Sequence, residues 1–499
     1  MLRVVALVGL AAAAAAPTPC LPACVCSATS YACVSRNLTA FPPDMFSGWT
    51  ALETINLAGN RASALPPGLF AGLPSLTTLD FSYNNLTSLP AGWQAPVAST
   101  VTSLNLAGLP FAAPFDVASV IGAMPSLTFL GVADLTLAGG HGECPDFSPL
   151  AKLAPRLATL SAARAQLTRI PPRAFAGLTL ASLDLSKNNF VNLTAGAFDG
   201  LDVGEVKLEW CGISGITQDA FAGLTAGNVD LYFNQITADS LPDGGLDLPG
   251  VTALCLAGNP IDARAFTKPL FASAPRLTGL DMMGGMGLGP FLGTVPARAF
   301  ASAPALTTLQ LFNSGISAFE VGALDGLPHL TFLNIGWNLF SAVPAGLLDP
   351  LPLLTTFVVN NGALAGGDAL HADAFAKNPL LATLDLSYNN PGITGLPSGL
   401  LAGCDKLATI DFSWQSAGTL ALQAGTFVGI NASGTLQTPV SITLAHNLMK
   451  SYAGHTAEKD IQAAVCAEAR ASPGACSVGW SPQAQNEPGE DEVRAAASV

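Results

Sequence analysis

The sequence predicts an α/β-type solenoid of about 16 stacked repeats, and three observations carry that expectation. A unit LxxLxLxxNxL recurs through the middle of the chain, mostly every 23–26 residues. Within each unit the segment xLxLx alternates inward and outward positions, the period of a short half-buried strand. The chain has 499 residues, 50% of them hydrophobic and only 11% charged, so it can bury a large core but is too long for one ordinary globule.

The elements follow in order. Residues 1–16 read as a signal peptide: Arg3 supplies the positive start, and residues 4–16 form an apolar run too short to span a bilayer. No later apolar run is long enough for a transmembrane helix, and no hydrophobic segment suits a lipid anchor, so a secreted chain without membrane insertion is expected. Residues 17–51 form a cysteine-rich N-terminal cap. Cys20, Cys24, Cys26 and Cys33 are spaced C-x3-C-x-C-x6-C, a disulfide staple in a secreted chain. Zinc is the alternative, poorly served by the single residue between Cys24 and Cys26.

Residues 52–462 form the repeat array, with copies such as "LETINLAGN" from Leu52, "LASLDLSKNNF" from Leu180 and "LTFLNIGWNLF" from Leu330. One copy cannot bury its apolar side alone, so neighbours stack into one parallel sheet with both strand leucines inward. The Asn eight residues after the first leucine falls where the chain turns, and its amide can bond backbone groups of its own and the adjacent turn. Asn60, Asn84, Asn188, Asn234, Asn259, Asn338, Asn389 and Asn447 hold that slot; Leu109, Leu135, Ala165, Cys211, Gly285, Ser314, Gly362 and Gln415 replace it elsewhere. Phe70, Phe175, Phe198 and Phe221 fall ten residues later and predict a second spine. Residues 463–479 read as a C-terminal cap-like segment in which Cys466 and Cys476 are candidates to pair. Residues 480–499, acidic and without apolar period, read as a disordered tail.

Together these residues resemble the extracellular leucine-rich repeat family. The fuller unit in "LPPGLFAGLPSL" and "IPPRAFAGL" is similar to its typical subclass, and the four-cysteine cluster to its N-terminal cap. The likeness runs over roughly residues 20–450. It implies a horseshoe with a concave parallel β-sheet and an irregular or short-helical convex side. It also implies the pairs Cys20–Cys26 and Cys24–Cys33, and a role in binding proteins or glycans. The family's C-terminal cap is not recognisable, because Cys466 and Cys476 stand in a different context.

Catalysis, a cofactor and a resident metal are not expected. Five histidines are scattered over many repeats, and no GxSxG, HExxH or P-loop pattern occurs. "HGEC" at 141–144 reads as a polar loop, and the glycines of 281–290 have no lysine or helix start after them. Acids outnumber bases 34 to 20, for a net charge of −14, which argues against nucleic acid and anionic membranes. Asn37, Asn85, Asn192 and Asn431 lie in N-glycosylation sequons.

The residues two, four and six after each first leucine face outward, and the seventh lies at the rim. Most copies are bland there, as in Ser103/Asn105/Ala107. Two adjacent copies are not: Glu205/Lys207/Glu209 with Trp210, then Asn228/Asp230/Tyr232 with Phe233. A weaker aromatic group comprises Phe312, Phe332, Trp337, Tyr388 and Trp414. Lys207 shares a column with Asp184 and Asp230, so it interrupts an acidic ladder; that accounts for the lysine alone. The expectation is a secreted or cell-surface module whose concave residues Glu205, Lys207, Glu209, Trp210, Asp230, Tyr232 and Phe233 bind a basic protein or peptide, or a glycan. The alternative is an extracellular-matrix or adhesion component that uses the solenoid as a spacer.

Overall fold

The computed structural model describes residues 19–111, 116–135, 142–271, 274–285, 292–415, 421–422, 425–428, 430, 440–444, 458–468 and 476–479. The expected signal peptide and acidic tail, Asn431, Asn447 and the Cys476 side chain lie outside the described residues. The chain divides into two compact units, one comprising 1–213 with 219–230 and the other 214–218 with 231–499.

The first unit opens with an antiparallel pair, Val25–Cys26 against Ser30–Ala32. Disulfides Cys20–Cys26 and Cys24–Cys33 tie it together. Ser30–Ala32 then pairs in parallel with Thr54–Asn56, the first repeat strand. Parallel pairing continues through Thr78–Asp80, Ser103–Asn105, Phe129–Gly131, Thr159–Ser161, Thr179–Asp184, Asp202–Lys207 and Thr225–Asp230. The register is what the alternation demands: Ile55, Leu79, Leu104, Leu130, Leu160, Leu183, Val206 and Val229 form one fully buried column. Each such side chain contributes about 1.5–3 kcal/mol through burial. A second column of rings runs behind it, Phe147–Phe175–Phe198–Phe221, with centroids 5.8, 6.3 and 5.7 Å apart.

The second unit repeats the plan. Ala253–Cys255, Gly279–Asp281, Thr308–Gln310, Phe332–Asn334, Thr356–Val358, Thr383–Asp385, Thr409–Asp411 and Val440–Thr443 pair in parallel in chain order. Cys476–Gly479 adds a further strand, preceded by the helix Glu458–Glu468. Cys466 on that helix is disulfide-bonded. No helix among the described residues is long and apolar enough to cross a membrane.

The turn after each strand is closed from the side chain. Asn84 Nδ2 donates to Leu57 O and Phe81 O at 3.0 Å each, and its Oδ1 accepts the Ala62 N–H at 3.2 Å. Asn60, Asn188, Asn259, Asn338 and Asn389 also donate both to their own turn and to the preceding repeat, and Asn234 donates to Leu231 O in its own turn. Polar substitutes take over these bonds. Gln415 Nε2 donates to Leu386 O at 2.7 Å, Ser314 Oγ to Met282 O at 2.8 Å, and Cys211 Sγ to Leu185 O at 3.3 Å.

Candidate functional site

In the first unit three neighbouring strands, Thr179–Asp184, Asp202–Lys207 and Thr225–Asp230, are six residues long where most others have three. Small residues permit the extension. A Cβ on Gly204 would stand 2.5 Å from Ala181 O, and one on Gly227 2.6 Å from Gly204 O, so the backbones close up only because these side chains are absent. The extended pairing fixes the outward columns: Ser182, Glu205 and Asn228 in one, Asp184, Lys207 and Asp230 in the next.

The charged groups in these columns are unequally engaged. Lys207 does not bridge the acids on either side of it; its Nζ lies 3.3 Å from Glu205 Oε2 on its own strand. Asn228 Nδ2 donates to the other Glu205 oxygen at 3.1 Å. The hydrogen bond to Glu205 raises the Lys207 pKa. Asp184 is also occupied, accepting the Ser186 N–H at 3.0 Å and the Ser161 hydroxyl at 3.4 Å. Such bonds to the backbone two residues on recur at Asp80, Asp281, Asp385 and Asp411. Acids in this column therefore cap strand ends, which lowers the count of carboxylates facing a partner. Glu209 differs: its carboxylate has no hydrogen bond or ion pair among the described residues. Its pKa is raised, first by partial burial and then by repulsion from Asp230.

Trp210 follows directly and is 50% exposed. Its φ is +56°, a left-handed conformation that a bulky residue rarely adopts. The same slot is left-handed at Tyr83, Asp134, Arg164 and Lys187 in the first unit, and at Phe233, Asn313, Trp337, Asn361, Tyr388 and Trp414 in the second. The sequence placed this slot at the rim but did not show that it is left-handed; the signal was glycine at the equivalent positions 59, 108 and 258. Tyr232 and Phe233 belong to the second unit, where their rings meet edge to face at 4.5 Å, and Phe233 lies over Gly258.

One rim segment is closed on itself. Arg164 Nε and Nη2 donate to the two Asp134 oxygens at 2.8 Å each, and the Tyr83 hydroxyl donates to the same carboxylate. Tyr83 reaches Asp134 across Gly108, where a Cβ would stand 2.4 Å from its ring. The arginine holds the Asp134 pKa below the usual carboxylate range.

Of the remaining candidates, Asn37, Asn85 and Asn192 are exposed. Cys144, Cys211 and Cys404 are buried thiols, and Cys255 is half-buried. Burial pushes the Cys211 and Cys404 thiols up to about 12.

The architecture is that of a leucine-rich repeat solenoid. A leucine rich repeat family model matches residues 34–86 and, overlapping them, 50–108. The chain is similar in fold to Toll in the Drosophila Toll–Spatzle complex: 22% identity, a TM-score of 0.56, and coverage of 82% of this chain and 48% of that one. The glycosylated form of the same complex gives 20% identity, a TM-score of 0.54, and coverage of 80% and 47%. The chain thus spans about half the length of the Toll chains it matches. No curated protein matches it by sequence.

Proposed function

We propose that the chain is an extracellular recognition module, and that its first unit binds a basic protein or peptide through the strand Asp202–Lys207 and the turn after it. The observation that carries this reading is the pair Glu209–Trp210: a carboxylate with no hydrogen bond or ion pair among the described residues, next to a half-exposed tryptophan in a left-handed conformation. Neither side chain is enclosed in the core. With Asp184, Glu205, Lys207 and Asp230 they form a strip of four acids and one base, a local charge of −3 that steers a cationic partner. Arginine or lysine at the centre of such a partner would meet Glu209, and the indole would supply the buried aromatic anchor. In this reading residues 1–16 are removed on export, 17–51 cap the first repeat, 463–479 close the other end, 480–499 form an acidic tail, and the exposed sequon asparagines carry glycans. Toll shares the fold and is solved with Spatzle bound; that likeness concerns the fold, and the proposed contact residues come from this chain alone.

The test is capture of surface proteins from the native cells with the purified chain as bait, followed by binding kinetics of the captured partner at two salt concentrations. Trp210→Ala should weaken binding by about 2 kcal/mol with the fold retained. Glu209→Gln should slow association and flatten its salt dependence. If both variants bind like the parent, the strip is solvated decoration and the spacer reading gains.

A further inference from the structure

The second unit carries a patch of different chemistry. Strands Thr308–Gln310, Phe332–Asn334 and Thr356–Val358 lie in register, so Thr308, Phe332 and Thr356 form one outward column, and Gln310, Asn334 and Val358 the next. No outward slot of these three repeats holds a charged residue, in a chain of net charge −14. Beyond the strands, Gly336 occupies the slot between Phe312 and Asn360. A Cβ there would stand 2.4 Å from Asn360 Oδ1, so the Asn360 amide packs into the space that the missing side chain leaves.

Asn360 Nδ2 donates to Asp385 Oδ2 at 2.7 Å, which orients the amide and leaves Oδ1 against Gly336. That oxygen has no hydrogen-bond partner, and neither has Gln310 Oε1; both are shielded from solvent. Asn334 accepts the Gly336 N–H through Oδ1 at 3.0 Å, and its Nδ2 makes no bond among the described residues. At the rim, Trp337 is 42% exposed and its ring lies 5.5 Å from that of Phe312. Buried polar atoms are almost always hydrogen-bonded. Two orphaned acceptors within three adjacent repeats, beside an exposed indole, mark a surface that a ligand completes.

We propose that this patch binds a neutral saccharide. Hydroxyl groups donate to Gln310 Oε1, exposed by rotation about its terminal torsion, and accept from Asn334 Nδ2. The C–H face of a sugar ring packs on Trp337, with Phe312 beside it. A hydroxyl is both donor and acceptor, which suits a surface of carboxamides, and a neutral ligand has no charge for this patch to match. The site is separate from the acidic strip of the first unit, so either reading can fail alone.

The test is an array of neutral and acidic oligosaccharides probed with the purified full chain, followed by calorimetric titration of the best neutral member. Neutral glycans should be retained, and retained equally at high salt. Trp337→Ala should weaken binding roughly tenfold or more, the loss expected of an aromatic anchor, and Trp337→Phe should recover part of it. Gln310→Leu should weaken binding without lowering Tm, because it removes a buried orphan acceptor, and Trp210→Ala should change nothing. Retention of no neutral glycan, retention of acidic glycans alone, or unchanged affinity in Trp337→Ala overturns the proposal.

Discussion

Replacing Asn84 with alanine is expected to loosen the second repeat, whereas the same change at its neighbour Asn85 should leave it intact. Asn84 is 3% exposed. Its Nδ2 donates to Leu57 O and Phe81 O at 3.0 Å and to Ser82 O at 3.2 Å, and its Oδ1 accepts from Ala62 N at 3.2 Å; Ser82 O keeps the Gly59 N–H, so alanine strips the other three backbone groups of this partner. At about 1 kcal/mol for each group left unpaired, the loss is about 3 kcal/mol. Asn85 is exposed and contributes its backbone N–H to Ala62 O at 2.9 Å, which alanine retains. Its substitution should stay within about 0.5 kcal/mol. A solenoid need not unfold in one step, so the assay must be local. Hydrogen exchange of peptides covering residues 52–97, on deglycosylated protein, should accelerate roughly a hundredfold in Asn84→Ala and match the parent in Asn85→Ala. Equal exchange in the two variants would refute the assignment of Asn84 as the residue that joins the first two turns.

Trp210→Gly should leave Tm unchanged or raise it, since glycine relieves a left-handed backbone at a cost of about 1 kcal/mol for other residues, yet it should weaken partner binding at least as much as Trp210→Ala. Gly108→Ala should destabilise by roughly 1–2 kcal/mol, because the position has φ +64° and its Cβ would push Tyr83 off Asp134; a crystal structure or thermal melt of the variant checks this. The free-state pKa of Glu209 is raised by burial and by Asp230, and a cationic partner favours its ionised form. Binding should therefore weaken as pH falls through that raised pKa, starting at a higher pH than for an ordinary carboxylate; Glu209→Gln should remove this onset in a pH series of affinities. Mass spectrometry after brief alkylation near neutral pH should find Cys255 modified before Cys211 or Cys404, whose thiols are buried and pushed up to about 12.

The repeat architecture was legible because its cause is local and periodic. Two inward leucines per strand, an Asn eight residues after the first leucine and a Phe ten further on set the register, and burial allows each only one place. That is why Leu79, Asn84 and Phe70 occupy the positions their spacing implies. The alternation in 203–210 likewise shows that Glu205, Lys207 and Glu209 leave one face. It does not show which of them is engaged, because their partners come from neighbouring repeats and from the backbone. Lys207 turned to Glu205 along its own strand, Asn228 took the second Glu205 oxygen, and Asp184 closed its own turn, leaving Glu209. The left-handed rim was equally hidden, since φ at Trp210 follows from the turn that the buried ladder imposes and not from the preference of tryptophan. Leucine periodicity determined the path of the backbone; competition among polar groups across adjacent repeats, decided only in three dimensions, determined which of them remain for a partner.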